Sequence, residues 1–258
     1  MWAVRDPAAH DRKLLLLLLG TLIALAWVIL WAWGQSPYAR FLDHQQLTHM
    51  RADGLWLLAV FVAGWVLMTV AMMLPTSLPL VLLFQRLVGW RADHMLLMAL
   101  LLVGYLSVWT LFGALAFLGD GVLHRVAEQV GWLHANAWVI GAATLIGAGL
   151  YQFSPLKYHC LEKCRSPMSF ITEHWRGRHE AAQAFALGLH HGLFCLGCCW
   201  LLMLLMFLVG MGSLGWMLAL GTVMAVEKNF PWGRRLSTPL GVALLGAGLT
   251  VPLLAWLR

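Results

Sequence analysis

Charge is scarce in this chain: Asp, Glu, Lys and Arg make up 11% of 258 residues, against 61% hydrophobic. With a mean hydropathy of +0.78, that shortage excludes an ordinary soluble domain and points to an integral membrane protein. No segment between the apolar runs is long enough to fold as a soluble domain. Low complexity is confined to Leu14–Leu19, and no internal repeat is visible. No Gly-x-x-x-x-Gly-Lys-Ser/Thr pattern occurs, which removes nucleotide as a partner and argues against ATP-driven pumping by this chain. A small-residue cleavage site is missing after the N-terminal leucines, so Arg12, Lys13 and the apolar run that follows read as an uncleaved anchor.

What is present is a series of apolar runs near the roughly 20 residues that a helix needs to cross a bilayer. Seven are expected to be transmembrane helices: Leu14–Trp33, Gly54–Leu74, Met95–Leu118, Ala135–Phe153, Ala182–Val209, Leu214–Val226 and Pro239–Leu257. The sixth is short, and only Gly210–Ser213 separates it from the fifth. With a cytoplasmic N-terminus, thirteen Lys and Arg fall inside and four outside, namely Arg40, Arg51, Arg125 and Arg258. This is the asymmetry of the positive-inside rule for seven spans with the C-terminus outside. The net charge of +6 therefore reads as topology and contact with anionic headgroups rather than nucleic-acid binding. The expected architecture is an all-α polytopic bundle, one domain over residues 1–258.

Lipid offers the backbone no partner, so each span should be helical. Pro75 and Pro79 in "AMMLPTSLPL" should stop or kink the second helix, giving a plain re-entrant turn or a cavity-lining break. Glycines 141, 147, 149, 241, 246 and 248 mark expected close helix contacts. The outer loops carry Asp43, His44, His49, Asp53, Asp120, His124, Glu128 and His134, residues that can bind metal but also serve solubility.

The densest chemistry lies in "HHGLFCLGCCWLLMLLM", His190–Met206, which contains neither carboxylate nor amine. Projected on a helix, His191, Cys195, Cys198, Cys199 and Met206 share an arc of about 100°. Gly188 and Gly192 fall on its flank as a Gly-x-x-x-Gly contact strip. His190 points elsewhere. Met68 and Met72, and Met217 and Met224 around Gly221, form similar stripes, with Glu227 closing one end. Cysteine can be a small hydrophobe and methionine a gap filler. Yet five soft donors on one arc, one of them an imidazole desolvated in apolar surroundings, favour a metal or redox role. Sulfur with imidazole suits Cu(I), while Zn(II) is the alternative that Cys and His alone would satisfy. In "YHCLEKCRSP", Cys160 and Cys164 sit one turn apart among basic residues that favour thiolate. Disulfides are not expected within one helix face or facing a reducing cytosol.

The segments "VAMMLPTSLPLVLLF", "YQFSPLKYHCLEKCRSPMSF", "GLHHGLFCLGCCWLLMLLMFLVGM" and "VEKNFPWG" resemble, in that order, the family of predicted metal-binding integral membrane proteins, a bacterial multi-span domain of unknown function. The resemblance runs from the second helix onward. It implies a bacterial inner-membrane protein with a metal site at Cys160, Cys164, His191, Cys195, Cys198 and Cys199, and Glu227 in the matching Glu-Lys position. The combined expectation is a membrane protein that binds a soft metal, most plausibly copper, for transport or delivery. Partners would be the bilayer, membrane subunits or a metallochaperone. An accessory subunit or assembly factor of a membrane metalloenzyme is the second reading. A thiol or metal redox enzyme is the third, although Cys-x-x-Cys-Cys on one helix lacks the four spread thiolates an iron–sulfur centre requires unless Cys160 and Cys164 fold in.

Overall fold

The computed structural model describes residues 7–36, 54–136, 138–210 and 213–256, and every regular element among them is helical. In chain order these are α1 Pro7–Gly34, α2 Gly54–Met72, α3 Leu74–Val88, α4 His94–Gln129, α5 Gly131–Ala135, α6 Trp138–Tyr151, α7 Pro155–Arg165, α8 Pro167–His174, α9 Glu180–Val209, α10 Leu214–Asn229, a 3-10 turn Gly233–Leu236, and α11 Ser237–Trp256.

Five stretches are long and apolar enough to cross a membrane: Arg12–Gly34, Leu55–Met72, His94–Gln129, Glu180–Leu208 and Gly233–Leu253. This departs from the expected seven at two places. The fourth run forms only the 14-residue α6, which a 62° bend joins to α7; together they would make a sixth crossing. The sixth run becomes α10, whose 16 residues are fewer than in any of those five stretches. The bend follows from Ser154-Pro155. Ser154 Oγ caps α7 by accepting from the Leu156 and Lys157 amides, and Pro155 starts a helix without needing an N–H of its own. The surface agrees with an apolar surrounding, since Trp31, Trp56, Trp90, Trp132, Trp216 and Trp232 are all exposed. Each sits at or near a helix end, where interfacial tryptophans gather in membrane proteins.

At the first proline pair the helix is interrupted, as expected. Helix α2 stops at Met72, and α3 begins at once, with Pro75 in its first turn and Pro79 inside it. Pro75 has no N–H for the Ala71 carbonyl, and that carbonyl instead accepts from Trp27 Nε1 of α1 at 3.2 Å. The Thr76 hydroxyl donates to the Met73 carbonyl at 2.7 Å, and the Ser77 hydroxyl reaches the same oxygen at 3.4 Å. The break is thus internally satisfied, and Met73, Thr76 and Ser77 are all three buried.

The closest packing is between α4 and α9. A methyl group at Gly188 would overlap the Leu101 carbonyl, and one at Gly104 would overlap the Phe185 carbonyl. At Gly192 it would lie 2.9 Å from Val108 Cγ2. The Gly188/Gly192 strip is therefore a backbone-to-backbone crossing, the small-residue contact typical of helices in lipid. Glycines 149, 241 and 248 likewise press α6 against α11, whereas Gly147 and Gly246 face open space and Gly141 makes only ordinary contact. Asp120, His124 and Glu128 belong to the last turns of α4, not to a loop, and Asp120 and His124 lie 3.4 Å apart. Asp43, His44, His49 and Asp53 lie outside the described residues.

Gly188→Ala should lower the thermal unfolding midpoint in detergent by an amount equivalent to about 1–3 kcal/mol, as overpacking does, whereas Gly246→Ala should leave it unchanged. Differential scanning fluorimetry of the two purified variants checks the contrast.

Candidate metal site

Helix α9 is the spine of the site. One turn beyond the glycine crossing, Cys195, Cys198 and Cys199 are all buried. The thiols of Cys198 and Cys199 both donate to the Cys195 carbonyl at 3.0 Å, which fixes their rotamers against their own helix. Because the crossing draws α4 so near, the Tyr105 hydroxyl lies 3.1 Å from Cys195 Sγ. From the other side α10 contributes Lys228, whose ammonium donates to Cys195 Sγ at 3.0 Å and to Thr76 Oγ1 at 3.2 Å. The same ammonium lies 3.8 Å from Met73 Sδ, and that sulfur lies 3.7 Å from Cys199 Sγ. Four separate elements, α4, α9, α10 and the α2–α3 break, meet at these atoms.

The remaining cysteines extend the set toward α7. Cys164 of α7 is a neighbour of Cys198, and Cys198, Cys199 and Cys195 are neighbours on one face of α9, their two later thiols turned onto the Cys195 carbonyl. Cys160, one turn before Cys164, places its sulfur against Gly197 of α9, where a side chain would collide with it. The result is a file of thiols, Cys164, Cys198, Cys199 and Cys195, that ends at Met73. All five cysteines are free. Among the described residues, however, no three His, Cys, Asp or Glu side chains close on a point where a metal ion could be held. The most convergent polar set instead includes a thioether and an ammonium.

His191 stands beside the file rather than in it. Its Nε2 lies 3.1 Å from Ser77 Oγ, and its ring stacks on Tyr105 and meets Phe170 edge-on. Since the Ser77 hydroxyl points toward the Met73 carbonyl, the network assigns the ring proton to Nε2, where it is donated to Ser77. That leaves Nδ1 as a lone pair that is buried and has no hydrogen-bond partner, an expensive arrangement for a polar atom. His190 faces away and packs on His174, the ring centroids 4.7 Å apart. Met206 is buried further along α9, about 10 Å of helix rise past Cys199. Met68, Met72, Met217 and Met224 are also buried, and Met72 packs on Gly221.

Glu227 is committed elsewhere. Its Oε1 accepts from Lys157 Nζ at 2.7 Å and from the Ser237 hydroxyl at 2.6 Å, while Lys157 also donates to Gln152. Arg165 donates to the backbone carbonyl of Glu227 and, at 2.9 Å, to that of Pro231. These bonds tie α7, α10 and α11 together, and they hold the backbone from which Lys228 projects. Lys157 and Lys228 count as loop charges in the sequence, yet they are 0% and 6% exposed.

Sequence reasoning did not single out Lys228, Met73, Thr76, Ser77 or Tyr105. The available signal lay in the segments "VEKNFPWG" and "VAMMLPTSLPL", whose polar residues stand beside apolar runs. Met73 falls off the Met68/Met72 face that helical spacing defines, yet it is fully buried, its amide still bonded to the Thr69 carbonyl of α2. The donor set itself, thiols with a thioether and an unpaired imidazole nitrogen, suits a soft monovalent metal better than a hard one.

Lys157→Met alone, or Glu227→Leu alone, should destabilise the fold by about 3–5 kcal/mol by stranding a buried charge, and the double variant should recover most of that loss. Unfolding midpoints for the four members of the cycle decide it.

Against known proteins, the chain matches the family model described as PpoB2, copper chaperone, over residues 62–251. No curated protein and no solved structure matches it. The matched region takes in every residue of the thiol file together with Met73, Tyr105 and Lys228, and the chain belongs to the PpoB2 copper chaperone family.

Proposed function

We propose that this chain is a multi-span protein of the bacterial inner membrane, a single domain over residues 1–258, that takes Cu(I) onto buried sulfur donors and passes it to a partner. The observation that carries the proposal is the continuous file from Cys164 to Met73. A file of neighbouring soft donors lets a cuprous ion move by ligand exchange without leaving sulfur, and cuprous ions favour thiolate and thioether over oxygen. Zn(II) would gain nothing from Met73.

In this reading Cys160 and Cys164 form the cytoplasmic intake pair, and Cys198, Cys199 and Cys195 carry the ion inward. Met73 and His191 Nδ1 complete the inner coordination, with Met206 further along the same helix face. Glu227 acts as a positioning residue through Lys157 and the α10 end, not as a ligand. The proposed orientation keeps the N-terminus cytoplasmic and the C-terminus outside, with seven apolar segments of which α6–α7 is the bent member and α10 the short one. The thirteen-to-four distribution of Lys and Arg supports it. The family's description as a copper chaperone favours delivery over net transport. The recipient would then be a membrane subunit under assembly or a soluble metallochaperone.

The test is elemental analysis of protein purified anaerobically in mild detergent. Wild type should retain about one copper per chain, and the Cys195→Ser/Cys198→Ser/Cys199→Ser variant should lose at least about 90% of it, as removal of ligands does at a closed soft site. Equal copper in a folded triple variant would rule the file out as the carrier.

A further inference from the structure

The Lys228 ammonium occupies the ground where the inner sulfur donors face one another. It touches Cys195 Sγ at 3.0 Å and lies 3.8 Å from Met73 Sδ, while Cys199 Sγ reaches the same Met73 sulfur from the other side. Thr76 Oγ1 is its one oxygen acceptor in this set. A lysine this deeply buried normally pairs with a carboxylate. Glu227, the adjacent carboxylate in sequence, is spent on Lys157 and Ser237. Lys228 is thus a buried cation held largely by sulfur.

We infer that Lys228 is a resident counter-cation for the copper site, exchanged one for one with Cu(I) when the ion arrives. This rests on the copper-binding reading above and adds to it a rule of selection. The ammonium leaves with its proton and its single positive charge, and Cu(I) brings the same charge to the Cys195 sulfur that the ammonium had paired, as thiolate, and to the neutral Met73 thioether, while the Cys199 thiol keeps its proton on the Cys195 carbonyl. The net charge of the buried pocket is therefore conserved. Zn(II) taking the place of one ammonium would add an uncompensated positive charge in apolar surroundings, a costly change. The structure also offers a way out for the displaced side chain. Lys228 lies in the last turn of α10, and the next residues, Asn229 through Trp232, are exposed. A flexible four-carbon stem can swing from the pocket to that surface without unfolding the helix. With the ammonium gone, Cys195 Sγ and Met73 Sδ are free to converge on the ion.

The inference is tested on the purified full chain in mild detergent, under anaerobic reducing conditions, by acetylating lysines with an N-hydroxysuccinimide ester. Labelling is read by mass spectrometry, with exposed Lys13 as internal reference. Lys228 should be protected in copper-free protein. Labelling relative to Lys13 should rise about tenfold on adding one equivalent of Cu(I), and not on adding Zn(II), because only the exchanged state exposes the amine. In parallel, Lys228→Gln should bind Cu(I) at least about tenfold more tightly in competition with a chromophoric Cu(I) chelator, since no resident cation has to be ejected. If that variant does not fold, the wild-type labelling decides alone. Copper bound at stoichiometry with Lys228 still protected would overturn the exchange and leave the copper reading standing. An absence of bound copper in wild type would instead remove the copper reading and the exchange with it.

Discussion

The backbone crossing of α4 and α9 is the constraint on which the other contacts depend. Gly104 and Gly188 let two main chains touch where any side chain would hold them apart. In lipid there is no gain from burying apolar side chains against one another, so such close van der Waals contact has to supply association. It also fixes chemistry. The approach that brings Leu101 over Gly188 carries Tyr105 over the next turn, where its hydroxyl reaches Cys195 and its ring covers His191. Widen the crossing and the thiol loses both its phenolic neighbour and its shield.

The second determinant is the interrupted helix at Met73. A continuous helix through residues 70–80 would have spent every carbonyl on itself, including those of Ala71 and Met73. Proline removes one donor, Trp27 replaces it from α1, and a thioether and two hydroxyls at the break meet α9 and α10. Those hydroxyls are already oriented by the Met73 carbonyl, so each has an oxygen lone pair to offer, Thr76 to Lys228 and Ser77 to His191. The polar atoms of the pocket are therefore held by one another, and His191 Nδ1 remains as a buried position without a hydrogen-bond partner.

Much of this was legible in the sequence because it is periodic. The arc shared by His191, Cys195, Cys198 and Cys199, the glycine strip beside it, and the outward turn of His190 all follow from 100° per residue. The helical class followed from apolar composition alone. What periodicity does not reach is the effect of one helix on another. Lys228 reads as a loop cation because charge next to an apolar run usually means a boundary, and only the docking of α10 against α9 turns it inward. Met73 is hidden for the related reason that its burial depends on Cys199 of α9 and Lys228 of α10 meeting its sulfur, which no spacing within its own helix shows. Glu227 was legible as a special carboxylate but not as the partner of Lys157, 70 residues away. The number of crossings was the weakest expectation, since an apolar run such as Ala135–Phe153 looks the same whether its helix continues straight or bends at Ser154.

One feature has a mechanical consequence. Helix α4 runs unbroken for 36 residues, about 54 Å at 1.5 Å per residue, against a hydrocarbon layer of about 30 Å. At that length the helix outruns the layer, and its far turns line a cavity with Trp138 and Thr144 of α6. Its far turns carry Asp120 and His124 at a height set by the Gly104 crossing at its base. An acidic–imidazole pair mounted this way cannot drift with a loop. Asp120 and His124 therefore keep a fixed distance along one helix from the contact that places the buried sulfur.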